Sequence, residues 1–134
     1  MSVDDLEFSA ERRLILWHPR GVLDAARIRD YFEAMGACPW GATADRYCDF
    51  SAVENFILDF HQMLGLVRFR VRHLADHRRV RLGIFAPQDI AFAFSRMYEM
   101  LMENEGVDIL VARDDDKVRR FLGMDSITGE PLDS

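Results

Sequence analysis

The sequence predicts an α/β domain, and three observations carry that expectation. The chain has 134 residues, enough to bury one normal core. Its composition, 49% hydrophobic and 30% charged, is that of a soluble globular protein. Residues 79–123 read strand, turn, helix, strand, helix. An apolar run at 79–85 is followed by a turn at Ala86-Pro87-Gln88-Asp89 and helical periodicity over 90–103. A second apolar run at 107–112 leads into a closing helix from Asp114. That is one βαβ unit with a capping helix, the building block of α/β folds.

From the N-terminus, Leu6-Glu7-Phe8 and residues 13–18 are strand-like, and Ser9-Ala10-Glu11-Arg12 between them is short enough for a hairpin turn. Pro19 and Gly21 end the second run, because proline cannot continue an interior ladder. Residues 23–35 form an amphipathic helix with Leu23, Ile28, Tyr31, Phe32 and Met35 on its apolar face, and Gly36 supplies the stop. Residues 38–45 are a loop around Trp40 and Gly41, and 46–50 a strand. Residues 51–55 lead away from it, and Phe56, Ile57 and Leu58 fit either class.

Residues 59–75 are read as a helix. Phe60, Met63, Leu64, Val67, Val71 and Leu74 recur at three-four spacing over a length beyond that of a usual strand. Residues 67–72 also alternate at period two, so a strand is the competing pattern; the need for a crossover between parallel strands favours the helix. The helix at 90–103 is apolar nearly all round. Ile90, Phe94, Met97 and Leu101 are its expected core stripe, Arg96, Glu99 and Glu103 its polar edge, and Asp89 its cap. Such a helix is buried on more than one side or offers apolar surface to something else. In the last helix Asp114, Asp115 and Asp116 suit the N-terminal end of the macrodipole and Lys117, Arg119 and Arg120 the C-terminal end. The domain is expected to span residues 1–123, and residues 124–134, without periodicity, to form a disordered tail.

Charge and motifs exclude several functions. A net charge of −6 argues against a general nucleic-acid binder. The acidic start Met1-Ser2-Val3-Asp4-Asp5 is not a signal peptide, and no apolar segment approaches the roughly 20 residues that span a bilayer. Cys38 and Cys48 lack Cys-x-x-Cys spacing and read as reduced thiols of a cytoplasmic protein. There is no Gly-x-Ser-x-Gly elbow and no Gly-rich phosphate loop, so no catalytic residue and no cofactor is expected. His73 and His77 have the i, i+4 spacing of a helical metal pair. Leu74 stands where the zinc-protease signature needs glutamate, and His61 lies elsewhere around the helix, so no metal site is expected. Cys48 would form a dyad with His18 or His61 only if the fold brought them together. Asp49, near a strand's C-terminal end, is the acid placed where α/β ligands bind.

The order of elements and several runs resemble the STAS-like proteins, the class of the sporulation anti-sigma-factor antagonists. The closer resemblance is to the small bacterial branch of unknown function described as sporulation stage II AA-like. The residues are Cys48-Asp49-Phe50-Ser51-Ala52-Val53, Val80-Arg81-Leu82-Gly83-Ile84-Phe85-Ala86-Pro87, Phe92-Ala93-Phe94-Ser95-Arg96-Met97-Tyr98-Glu99, and Val111-Ala112-Arg113-Asp114 with Phe121-Leu122-Gly123. They span residues 6 to 123 and are mostly core positions. The resemblance implies a single-domain mixed β-sheet flanked by about four helices, in proteins that act by binding rather than by chemistry. Phospho-regulated members carry a serine at the start of the helix after the Asp49 strand. Here Leu58 stands at that place and Ser51 falls too early, which argues against a serine switch. The branch has also been likened to CRAL-TRIO lipid-binding folds, which would suit an apolar ligand.

Two groups of residues are candidates for contact. Arg68, Arg70, Arg72, Arg78, Arg79 and Arg81, opposed only by Asp76, suit an anionic partner, a phosphate or a lipid headgroup; the plain alternative is a solvated helix face and strand edge. Phe92, Phe94, Met97, Tyr98, Met100, Met102 and Met63 suit an adaptable apolar pocket or a dimer contact; the plain alternative is core. The expected contact set is Phe92, Arg96, Met97, Tyr98, Met100, Arg68 and Arg72. The leading expectation is a non-enzymatic module binding a protein partner or its own copy. The alternative is a carrier or sensor of a small apolar or acidic-apolar ligand with an arginine on its head.

Overall fold

A computed structural model describes residues 5–72 and 79–124. In chain order the elements are β1 (Leu6–Ser9), β2 (Leu14–Trp17), β3 (Gly21–Asp24), α1 (Ala25–Ala37), β4 (Asp45–Asp49), β5 (Val53–Ile57), α2 (Phe60–Arg72), β6 (Val80–Phe85), α3 (Asp89–Leu101), β7 (Val107–Ala112) and α4 (Asp115–Phe121). The main sheet has the order β1-β2-β4-β6-β7. β1 is antiparallel to β2, as the hairpin reading expects, and the other pairings are parallel, so the sheet is mixed. No helix among the described residues is long and apolar enough to cross a membrane.

Register decides which side chains share a face. Ile15, Arg46, Leu82 and Ile109 stand side by side across four strands, and Trp17, Cys48, Ile84 and Val111 form the next row. This face carries the main core with Ile28, Tyr31, Phe32 and Met35 of α1, Met63, Leu66 and Val67 of α2, and Ala91 and Tyr98 of α3. The opposite face holds Leu14, Tyr47 and Ala112 under Val118 and Leu122 of α4, with Met124 buried in the same cluster. Packed structure thus reaches one residue past Gly123, and residues 125–134 of the expected tail lie outside the described residues.

The structure corrects several sequence expectations. Leu23 does not open the first helix. It lies in β3, which pairs in parallel with β5 as a separate two-stranded ribbon, and β5 absorbs the ambiguous Phe56 and Ile57. The helix begins after Asp24, whose side chain accepts the Arg27 N–H at 2.9 Å, and runs through Gly36 to Ala37. Helix α2 forms as expected, but its buried residues are Met63, Leu66, Val67 and Arg70, leaving Phe60 exposed. In front of it Asp59 and Gln62 cap each other reciprocally, Asp59 Oδ1 accepting from Gln62 N at 2.8 Å and Gln62 Oε1 from Asp59 N at 2.9 Å. Asp89 is the first residue of α3 rather than its cap, and its carboxylate pairs with Arg113 at 2.8 Å.

Candidate functional site

Helix α3 keeps half of its expected core stripe: Phe94 and Leu101 pack against the main core, but the other two members do not. Ala91, Ser95 and Tyr98 are its buried residues, while Ile90 and Met97 of the expected core stripe are each 43% exposed. Being apolar nearly all round, the helix hides its own phase; the larger Tyr98 takes the inward place. Ile90, Ala93, Met97 and Met100 then form an outward stripe at i, i+3, i+7 and i+10, with Met100 69% exposed. Arg96 flanks the stripe and pairs with Glu99 at 2.7 Å. Phe92 is half-buried, with the Arg113 guanidinium 4.4 Å over its ring, rather than a free apolar side chain.

Among the described residues the expected arginine cluster is not one free surface. Arg68 and Arg72 are exposed on α2. Arg79 is paired with Asp108 and Arg81 with Asp45 across neighbouring strands. Arg78, with His73, Asp76 and His77, lies outside the described residues. Arg70 points the other way, into the core, and is 5% exposed.

There it meets a residue that reading side-chain types does not find. Arg46 stands in the inward-facing row of β4 between Ile15 and Leu82 and is 2% exposed. Its Nε donates to Met35 Sδ at 3.0 Å and its Nη2 to the Gly41 carbonyl at 3.1 Å. That carbonyl belongs to the turn at Gly41–Thr43, which packs so close to α1 that a Cβ on Gly41 would collide with the Met35 carbonyl. Arg70 has no such partner: its Nη2 is buried without a hydrogen bond, as is the Trp17 indole N–H.

Both arginines wall two adjoining spaces. An inner cavity of about 40 Å³ is lined by apolar and aromatic side chains, among them Trp17, Phe50, Met63 and Tyr98. An outer cleft of about 210 Å³ runs past Gly36, Pro39 and Phe69, and shares Phe32, Met35, Arg46 and Arg70 with the inner one. Among the described residues no aspartate or glutamate lines either. Burial, and then the charge of Arg46, pull the Arg70 guanidinium down to about 10, which leaves it a cation at neutral pH. Burial pushes the Tyr98 hydroxyl up to about 12, and the two guanidiniums act in the opposite direction. Of the expected contact set the fold brings Tyr98 to this chamber, and of the wider candidate groups Met63, Phe94, Met102 and Arg70 also line it.

Among the described residues Cys48 has no hydrogen bond to a histidine. Cys48 faces the helix-covered side, with Tyr31 Oη 3.6 Å from its sulfur, and burial pushes its thiol up to about 12. His18 pairs instead with Asp49 at 3.5 Å and Glu7 at 3.4 Å, near the end of β4. The hydrogen bond to Asp49, above all, raises the imidazole above its ordinary value. Cys38 and Cys48 are free thiols.

No protein-family model matches the sequence, and no curated protein matches it. Among solved structures the chain is similar to the anti-sigma factor antagonist SpoIIAA in its unphosphorylated form. The TM-score is 0.52 at 17% identity, over 89% of this chain and 97% of that one. With a mixed five-stranded sheet and four α-helices among the described residues, the chain has a STAS-like fold.

Proposed function

We propose that the chain is a non-enzymatic regulatory module of the STAS type, working in the cytoplasm, that docks a protein partner or a second copy of itself on the outer face of α3. The observation that carries this reading is the stripe of Ile90, Ala93, Met97 and Met100, an apolar helix face turned to solvent beside the Arg96–Glu99 pair. Amphipathic helices and grooves recognise such spacing, and methionines adapt their shape to the partner. Fully burying one large apolar side chain of this kind contributes up to about 1.5–3 kcal/mol, so covering the stripe favours association. The likeness to an anti-sigma factor antagonist supports a role in regulation by binding.

The docking reading needs no serine switch. The start of α2, where the resemblance places a phosphorylatable serine, reads Leu58-Asp59-Phe60, and Asp59 is engaged in the cap with Gln62. Ser51 sits in the preceding turn, its N–H donating to Asp49 Oδ1 at 2.9 Å.

A photocrosslinking amino acid at Met100, compared with one at Lys117 on the opposite side of the sheet, tests the reading in cells. The expected result is an adduct of defined mass from position 100 alone, lost in the Met97→Glu variant. That variant changes folding stability by less than about 0.5 kcal/mol, because Met97 is a surface position. Equal labelling at both positions, or a monomer that forms no adduct at position 100, contradicts it. A second reading, a carrier or sensor of an acidic-apolar ligand, is favoured by the chamber around Arg46 and Arg70.

A further inference from the structure

We propose that the chamber shared by α1, α2 and β4 is a binding site for a small organic oxyanion, its head group held between Arg46 and Arg70 and its compact apolar body packed against Trp17 and Tyr98. The inference stands on the interior and does not rest on the docking face of α3.

Two guanidiniums in one apolar interior are an unfavourable arrangement in an empty protein. Neither can shed its charge at neutral pH. A buried ion costs several kcal/mol unless a counter-charge and hydrogen bonds compensate. Arg46 recovers part of this through Gly41 and Met35. Arg70 recovers none: among the described residues it has no hydrogen bond and no ion pair, and its Nη2 is an orphaned donor. The two charges also repel one another. Among the described residues no carboxylate lines the inner cavity or the outer cleft to balance them. A single oxyanion placed between the forks turns the repulsion into two attractions and supplies the missing acceptors. Guanidinium forks match the planar, two-oxygen edge of carboxylate and phosphate.

The walls decide the rest of the ligand. Past the arginines the inner cavity is aromatic and aliphatic, and the Trp17 indole N–H is buried at its wall without a hydrogen bond. Its 40 Å³ accommodates roughly three water-sized groups, and the 210 Å³ cleft several times that. This volume fits an aryl or short branched acid and is too small for a long acyl chain. Gly36 and Pro39 are exposed at the rim of the cleft, so a ligand reaches the arginines from solvent without unfolding the core.

Carboxylate and phosphate heads share this chemistry, and a titration of the full chain separates them. Benzoate, phenyl phosphate and inorganic phosphate are added to a Trp40→Phe variant, in which Trp17 is the remaining tryptophan, and its fluorescence is followed with parallel calorimetry. The expected result is saturable binding of an aryl acid, tighter than inorganic phosphate by tenfold or more, with the preferred head identifying the ligand's source. Arg70→Met is expected to weaken it at least tenfold. Arg70→Lys, which keeps the charge and loses the fork, is expected to fall between. No saturable binding of any probe up to about 1 mM, or equal binding by Arg70→Met, overturns the proposal. A response to inorganic phosphate with no gain from the aryl group overturns it as well, since the apolar walls then hold nothing.

Discussion

Arg70 occupies a position that the helical period reserves for an apolar side chain. Met63, Leu66, Val67 and Arg70 fall at i, i+3, i+4 and i+7, and all four are buried. Side-chain type alone sends an arginine to the surface, so the sequence places it with Arg68 and Arg72 on a solvated face. Only the phase of the helix shows otherwise. Arg46 is hidden in the same way, since alternation along β4 puts it on the side of Cys48 and Phe50, but a single strand does not say which side is core. His18 was legible as a residue and not as a pair, because Asp49 reaches it across neighbouring strands. Its raised pKa gives a signed prediction. The pairing stabilises the fold fully below the imidazole's unfolded value near 6.5 and is lost as pH rises through the higher folded value. Urea unfolding of His18→Gln is therefore expected to show a larger loss at pH 6 than at pH 8.5, by less than about 1 kcal/mol at this half-exposed site. Equal losses at both values contradict the assignment.

At the scale of elements, the strands of the main sheet and all four helices were legible, while the β3–β5 ribbon was not. Its strands are four and five residues long, and Val22 and Ile57 face solvent, so they give no continuous apolar run. Leu23 also fits the apolar face of the helix that follows, which is why the helix was begun too early. The phase of α3 was illegible for the opposite reason: too many of its positions are apolar. Two substitutions probe how the elements are held. Gly83 lies beneath α4, where a Cβ would stand 2.7 Å from Val118 Cγ1 and 3.0 Å from Leu122 Cδ1. Gly83→Ala is expected to cost about 1–3 kcal/mol in chemical denaturation, because α4 must lift from the sheet. A change below about 0.5 kcal/mol would mean that α4 is loosely packed. Asp59→Ala removes the side-chain acceptor at the start of α2 and is expected to cost about 1 kcal/mol in the same assay.

For the whole molecule, the sheet separates a small, plain core under α4 from a larger one beneath α1, α2 and α3. The larger core contains the two buried arginines and the unpartnered donors that line its chamber, and the outer face of one of its helices carries the exposed methionine stripe. A STAS-like architecture was readable from the order of elements. The chamber was not, because it is made by residues from α1, α2, α3 and four strands brought together by register. The central claim is that this interior is arranged for a bound anion at the expense of its own stability. Thermal unfolding of ligand-free Arg70→Met against the parent chain tests it most directly. The account predicts that the variant melts higher, since a buried charge without a partner is replaced by an apolar side chain of similar length. A variant that melts several degrees lower would show that Arg70 holds the fold together, and would contradict the claim.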